Sequence, residues 1–226
     1  MATGLASEAS LRRHFRRWPL AIGCAAVVAC LFGVHARLDA ASDEPKQTPQ
    51  NTITIQLREP VKPQTFPRPI RFYIDKVIDR SGNPQPMLVY KPRGGVFLDR
   101  EPGQILREAV EKSLKPAGLL APDRDSADYL LSVYLFHFGL ASGSGLEFFG
   151  KVDLNIVIKD PKADKSQQVT ALGTSIKGAA ILKKNIQKNI QENIEDALQD
   201  ALRNFLRGTK LRDAIAALSS SAAPGS

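Results

Sequence analysis

The side chains most often used in catalysis are scarce beyond the N-terminal segment of this chain. His137 is the one histidine after residue 36. It falls inside the most apolar stretch and has no acidic neighbour in sequence, which favours a core or edge histidine over the base of a catalytic triad. Both cysteines, Cys24 and Cys30, precede this part, so neither a cysteine nucleophile nor a thiolate zinc site is expected in it. The sequence therefore predicts a protein that is not an enzyme.

Two groups of aspartates have spacings that raise the question of metal binding. Asp75 and Asp79 are expected on one face of a strand, but no further acid follows at ligand spacing. Asp123, Asp125 and Asp128 resemble part of a calcium loop, yet the glycine and terminal glutamate of such a loop are missing. We interpret both groups as solvated residues and predict no metal ion and no cofactor.

Phosphate and nucleic-acid binding have little support in the sequence. Residues 143–145, Gly-Ser-Gly, lack the lysine of a phosphate-binding loop and join two predicted strands, so a hairpin loop is expected. The formal net charge of the 226 residues is +8, but the first 36 residues, with four arginines and one glutamate, account for +3 of it. The remaining charge is dispersed, without the basic and aromatic clusters that nucleic-acid binding requires. We predict no nucleic-acid partner and identify no small-molecule substrate.

The N-terminus is typical of a bacterial secretory signal. Four arginines between residues 12 and 17 precede an apolar run over residues 18–34. Residues 27–30, Val-Val-Ala-Cys, resemble a lipobox, which predicts lipidation of Cys30; cleavage after Ala36 and retention as an uncleaved anchor are the alternatives. All three outcomes place the domain outside the cytoplasm, on the periplasmic side of the envelope, with a lipid anchor in the outer membrane as the favoured one.

Composition divides the chain into four segments. The signal or membrane-targeting segment spans residues 1–36, and a proline-rich tether is expected over residues 37–69. Within the tether, alternation over residues 52–57 predicts a short edge strand, because the flanking prolines do not suit a central position. A single α+β domain is expected over residues 70–216, followed by a disordered tail over residues 217–226.

Periodicity within the domain predicts the order of its elements. A strand begins at residue 70, with Phe72, Ile74 and Ile78 facing inward, and a short hairpin over residues 87–98 follows. The next element is a helix over residues 104–115. Three further strands are predicted over residues 129–140, 151–159 and 169–177, and their short connections favour an antiparallel meander. In the third of these strands, Leu172, Thr174 and Ile176 are expected on one face.

A long amphipathic helix over residues 181–208 is the strongest periodic feature. Its apolar line recurs every four residues and comprises Leu182, Ile186, Ile190, Ile194, Leu198 and Leu202. We expect Ile190 and Leu198 to be buried, Asn189 and Gln191 to be exposed, and Gly208 to form a left-handed C-terminal cap. Lysine, glutamine and glutamate side chains are expected on its solvated face, among them Lys184, Lys188 and Glu195. The predicted fold class is α+β, a two-layer sandwich of order β-β-α-β-β-β-α with two helices on one face of a mainly antiparallel sheet.

Three stretches together resemble the YajG-like lipoproteins of the bacterial envelope. They are residues 105–118, residues 128–133, and residues 193–202 with 209–211. The resemblance implies a non-enzymatic lipoprotein of the cell envelope, and auxiliary lipoproteins of envelope transporters share a similar arrangement.

These observations favour a secreted, lipid-anchored envelope protein that acts as a periplasmic binding or assembly module. Its expected partners are the membrane, through the anchor or the apolar segment, and another envelope protein. The alternative function is an auxiliary lipoprotein subunit of a lipid-transporting ABC system of the envelope.

Overall fold

The computed structural model describes residues 51–82, 88–90, 95–142, 147–175, 179–180 and 185–220. The predicted signal segment with Cys30, and the loop at residues 143–145, lie outside the described residues. In chain order the elements are β1 (Thr52–Ile53), β2 (Phe72–Asp79), β3 (Leu88–Tyr90), β4 (Val96–Leu98), α1 (Pro102–Leu114), β5 (Tyr129–Ser142), β6 (Glu147–Asp160), β7 (Lys165–Thr174), β8 (Ala179–Ala180), α2 (Ile186–Leu206) and α3 (Thr209–Ser220).

The main sheet has the strand order β2-β5-β6-β7, with β8 paired to β6. Strands β5, β6 and β7 form the predicted antiparallel meander, which follows from their short connections. Strand β2 pairs with β5 in parallel, because α1 carries the chain back between them. The predicted α+β fold is confirmed: the described strands form mainly antiparallel pairs, and helices cover one face of the main sheet.

A small second sheet has the order β1-β4-β3. Strands β3 and β4 are antiparallel, as the predicted hairpin requires. Strand β1 occupies an edge and pairs in parallel with β4 over only two residues. The predicted edge strand at residues 52–57 is therefore present but shorter than expected.

The segment before β2 is packed into the domain, in contrast to the tether predicted for residues 37–69. Its described part, residues 51–69, contributes four side chains that are each at most 4% exposed, namely Ile53, Ile55, Leu57 and Val61. Backbone hydrogen bonds also hold it, since Gln64 N donates to the carbonyl of Leu206 at 3.0 Å. The tether interpretation is wrong for these residues, because alternate apolar side chains line the core despite the prolines between them.

Helix α2 lies on the inward face of β6 and β7. Ile190 and Leu198 are buried, as predicted. Asn189 and Gln191 are half-buried rather than exposed. The positions on both sides of the apolar line are therefore partly covered. The strands and the segment at residues 51–69 bury a wider part of the α2 surface than the apolar line alone.

Two glycines allow this helix to approach the sheet closely. A methyl group at Gly150 would overlap the backbone of Asn193, and one at Gly173 would overlap the carbonyl oxygen of Ala197 and lie 2.7 Å from the Cβ of Ala201. Backbone contact of this kind leaves no room for a side chain. The pair fixes where α2 crosses the meander.

The C-terminal end differs from the prediction. Helix α3 continues to Ser220 and buries Leu218, so residues 217–220 of the predicted disordered tail belong to the domain. Gly208 lacks the positive φ of a left-handed cap. A methyl group there would overlap the carbonyl oxygen of Asn204, which is a close approach at the junction where α2 passes into α3.

Candidate functional site

The helices cover one face of the main sheet, and most of its opposite face has no covering layer in the part of the chain that the structure describes. One end of that opposite face is closed by the loop before β5, where Ala121, Ala127, Leu130 and Tyr73 form a small apolar cluster. The remainder is here named the open face, and its central residues are Ile78, Tyr134, Phe136, His137, Asp153, Asn155, Val157, Thr170 and Leu172. This surface is the candidate site.

A β-bulge in β5 places Phe136 on the open face. Leu135 pairs with Leu154 and His137 pairs with Asp153, so Phe136 has no partner residue on β6. The residues on either side of the bulge, Leu135 and Phe138, are both fully buried on the inward face. Phe136 and His137 therefore share the outward side, which is the effect of one extra residue in a strand.

Leu172 projects from the same surface on β7. Its register partner is Asp153, which is also opposite His137, so His137, Asp153 and Leu172 form one row across three strands. Phe136 and Leu172 are 43% and 46% exposed and are the exposed large hydrophobic residues of the described chain. Leu172 and Thr174 share this face as predicted, and Val169 and Ala171 form the core face of β7. Ile176 lies outside the described residues.

Two polar atoms of the open face have no hydrogen-bond partner among the described residues. They are Nε2 of His137 and Oδ1 of Asn155, and both atoms are shielded from solvent. A shielded polar atom without a partner costs free energy, about 1–3 kcal/mol in typical proteins. These two atoms are polar groups of the open face that its described residues leave without a hydrogen bond.

The state of His137 follows from its surroundings. Burial and, next, the positive charge of Lys151 lower the pKa of its imidazole below the ordinary value, while a hydrogen bond to the backbone of Leu140 and the charge of Asp153 act in the opposite direction. The ring is therefore neutral at pH 7. His137 lies on the outward face of the central strand β5 and is only partly buried, so it occupies neither the core nor the edge position that the sequence favoured.

Basic residues border the open face at the β2 edge. Nζ of Lys76 lies 5.8 Å from the ring centroid of Tyr134, and the guanidinium carbon of Arg80 lies 4.8 Å from it. The ring thus holds two cations by cation–π contact. This edge therefore presents positive charge beside the apolar side chains of the open face.

The aspartates discussed for metal binding have separate structural roles. A bulge at Asp75 shifts the register of β2 against β5, so Val77 faces inward and Ile78 faces the open side. The predicted inward position of Ile78 and the shared face of Asp75 and Asp79 are wrong for this reason. Asp75 contacts Arg124 at 3.6 Å, whereas Asp79 accepts a hydrogen bond from Ser81 N at 2.8 Å.

The loop with three aspartates is built from turns. Oδ1 of Asp123 accepts from Ser126 N at 2.8 Å, and hydrogen bonds from Ser126 lower the pKa of Asp123. Asp128 accepts from Arg71 N at 2.9 Å. In the described ranges no three histidine, cysteine, aspartate or glutamate side chains form a metal-binding group.

Glu195 is a further polar residue of α2 that the sequence placed wrongly. It was expected on the solvated face of the long helix, but it is 8% exposed. Its carboxylate accepts from Arg58 Nε at 3.0 Å and from Gln191 Nε2 at 2.9 Å. Because residues 51–69 pack beside α2, this contact binds that segment to the helix. Lys188 is 73% exposed, as expected for the solvated face, and Lys184 lies outside the described residues.

No protein-family model matches the sequence, and no curated protein does. Among solved structures, a DUF330 protein from Xanthomonas campestris superposes with a TM-score of 0.55 at 13% identity, over 74% of this chain and 99% of that one. PelC from Paraburkholderia phytofirmans, a dodecamer, gives a TM-score of 0.33 at 13% identity, over 62% and 92%. Lipoprotein GNA1162 from Neisseria meningitidis gives 0.27 at 13% identity, over 55% and 94%.

The DUF330 protein therefore shares the α+β fold of this chain, and at this identity the similarity concerns the fold alone. The other two scores describe a partial similarity in chain path. The family resemblance drawn from the sequence stays a prediction. In the described part of the chain, none of the helices is both long and apolar enough to cross a membrane.

Proposed function

We propose that this chain is a non-enzymatic binding module on the periplasmic side of the bacterial envelope, held at the membrane by a lipid on Cys30. The secretory pattern of the N-terminus supports the location outside the cytoplasm. The resemblance to YajG-like lipoproteins supports the lipid anchor. The module acts by docking another envelope protein on the open face. The observation that carries this proposal is the pair of large apolar side chains, Phe136 and Leu172, exposed on one face of the sheet.

The chemistry of the open face favours a protein partner. Phe136 and Leu172 offer apolar contact, which aromatic and aliphatic anchors supply at protein interfaces. A polypeptide segment with apolar side chains provides matching contact, so the partner is a protein surface rather than an ion or a small polar molecule.

The docking proposal is tested by photo-cross-linking in the native host. A photoreactive residue replaces Thr170, on the open face, or Lys188, on the exposed side of α2. We expect an adduct from position 170 that disappears when Phe136→Ser and Leu172→Ser are added, and no such adduct from position 188. Mass spectrometry of the adduct identifies the partner.

Three results would count against docking of a different protein. They are an adduct that persists in the double variant, equal adducts from both positions, and an adduct that contains only a second copy of this chain. Thermal melts of the double variant control for folding, because Phe136 lies at a bulge and both substituted side chains are more than half covered.

The anchor is tested by the mass of the mature protein. Expression of the full chain in a bacterium with lipoprotein processing is expected to give a product that begins at Cys30 and carries diacylglycerol. The Cys30→Ser variant is expected to lose the lipid and to leave the membrane fraction. A mature wild-type protein that begins at Arg37 without lipid would show cleavage after Ala36 and refute the anchor.

The alternative of a lipid-transporter subunit predicts an apolar cleft between the sheet and the first helix. The cavity beside α1 is about 460 Å³ and is bordered by charged residues, namely Asp99, Arg100, Glu108 and Lys112. This lining does not favour a lipid chain. Co-purification of the protein with transporter subunits under mild detergent is the measurement that would favour this alternative over the proposed module.

A further inference from the structure

A cleft on the helical side of the domain has a separate chemistry from the open face. It lies between the segment at residues 59–65 and the C-terminal half of α2, and its volume is about 540 Å³. Gln199, Arg203 and Arg207 line it from the helix, and Lys62 lines it from the segment. This space is named the basic cleft.

The wall formed by the segment is fixed in place. Val61 N donates to Oγ of Ser113 at 3.2 Å, Gln64 N donates to the carbonyl of Leu206 at 3.0 Å, and Gln64 Nε2 donates to the carbonyl of Gly208 at 3.3 Å. Pro60 and Pro63 restrict the backbone between these bonds. The cleft is therefore held open before any ligand arrives, which lowers the conformational cost of binding.

The charge in the basic cleft is mainly positive. Three cationic side chains line it, against the single carboxylate of Glu59. Arg203 has only a distant contact with Asp200, at 3.9 Å, and no acidic side chain in the described ranges pairs with Lys62 or Arg207. Arg203 lies in the last turn of α2 and Arg207 is the cap residue that follows it, and both side chains line the cleft.

Favourable interaction with the helix dipole explains part of this arrangement but not all of it. Cations near the C-terminal end of α2 are stabilised by its dipole, and this accounts for Arg203 and Arg207 as residue types. It does not account for Lys62, which comes from the opposite wall. It also does not account for Gln199, whose Oε1 is shielded without a partner among the described residues.

We infer that the basic cleft binds a phosphate-bearing anion, with Arg203 and Arg207 on one side, Lys62 on the other and the Gln199 amide as a further donor. Arginine forks match phosphate oxygens in geometry as well as charge. The lining contains no aromatic side chain on which a base could stack, so a single-stranded nucleic acid is not the ligand. The phosphate belongs either to a free anion or to a lipid head group.

Calorimetric titration of the full chain in a neutral detergent tests the inference and separates the two sources. The probes are inorganic phosphate and the short-chain lipids dihexanoyl phosphatidic acid and dihexanoyl phosphatidylcholine. We expect wild-type protein to bind phosphate, phosphatidic acid or both, more tightly than phosphatidylcholine. Binding of inorganic phosphate identifies the free anion as sufficient, and binding of phosphatidic acid alone identifies the head group. Binding is expected to weaken as ionic strength rises from about 0.01 M to about 0.15 M.

Matched variants locate the binding. The double variant Arg203→Gln and Arg207→Gln is expected to weaken binding by about tenfold or more, and Arg124→Gln, at an exposed arginine outside the cleft, is expected to bind as wild type. Lys62→Gln tests the opposite wall, with Lys188→Gln as its control, and it serves as the test if the double variant melts at a lower temperature. Absence of binding to all three probes overturns the inference, as does equal binding by wild type, cleft variants and controls.

Discussion

Replacing Gly173 with alanine should destabilise the domain more than its single methyl group would suggest. The new Cβ would overlap the carbonyl oxygen of Ala197, which is backbone and cannot rotate away as a side chain can. It would also lie 2.7 Å from the Cβ of Ala201. Helix α2 must therefore move away from β7 to admit the methyl group.

Two hydrogen bonds increase the cost of that movement. Nδ2 of Asn204 donates to the carbonyl of Leu172 at 2.7 Å, and Thr174 N donates to Oδ2 of Asp200 at 3.2 Å. Both bonds use backbone groups of β7 on either side of Gly173. Strand β7 lies at the end of the order β2-β5-β6-β7. Overpacking costs about 1–3 kcal/mol, and each strained hydrogen bond adds up to about 1 kcal/mol. We expect a loss near 3 kcal/mol, or about 6–12 °C in melting temperature for a domain of this size.

Chemical denaturation and thermal melts of the full chain measure this loss. Gly103→Ala is the matched control, because the new methyl group would meet only a side-chain carbon of Val77 at 3.9 Å and Gly103 lies in helix α1. Alanine is favoured over glycine in a helix by about 1 kcal/mol, so the control should be neutral or slightly stabilised. A Gly173→Ala protein that melts with wild type would refute the close helix–sheet approach.

Three further predictions follow from the same structure. Ile194→Ala should lower the free energy of unfolding by about 2–5 kcal/mol, and the melting temperature should not depend on protein concentration. An unchanged melting temperature together with loss of a dimer would show that the helix serves association instead. Glu195→Ala should cost less, about 1 kcal/mol, because Arg58 is 45% exposed and regains water; a loss as large as that of Ile194→Ala in denaturant titrations would contradict this. The lowered pKa of His137 means that the unfolded chain binds the proton first as pH falls, so stability present above about pH 6.5 is lost below it. The His137→Gln variant should lack this part of the pH dependence below about pH 6.5. An identical pH profile of the two proteins in chemical denaturation would show that His137 does not titrate in this way.

Much of the fold could be predicted because its elements carry their own periodicity. The alternation of β6 and the four-residue spacing in α2 depend on neighbours close in sequence, and the structure reproduces both. Short connections then determine the antiparallel order of β5, β6 and β7. These are the parts of the chain in which local pattern and tertiary packing agree.

The packed segment at residues 51–69 was not predicted because composition and pattern disagree there. Its prolines are typical of a tether, whereas the spacing of Ile53, Ile55 and Leu57 is that of a half-buried strand. Helix α3 was not predicted for a similar reason. Leu211, Ile215 and Leu218 follow the four- and three-residue spacing of a buried helix face, which the serine- and alanine-rich end obscured.

The bulges at Asp75 and Phe136 limit what alternation alone can predict about the open face. A residue added to one strand reverses the facing of every residue after it, and its position is fixed by the register with the neighbouring strand. In β5 the burial of both Leu135 and Phe138 forces Phe136 outward beside His137. The proposed docking surface thus arises from pairing between strands distant in sequence. A local periodicity cannot specify such a pairing, which is why the sequence identified His137 but not the surface around it.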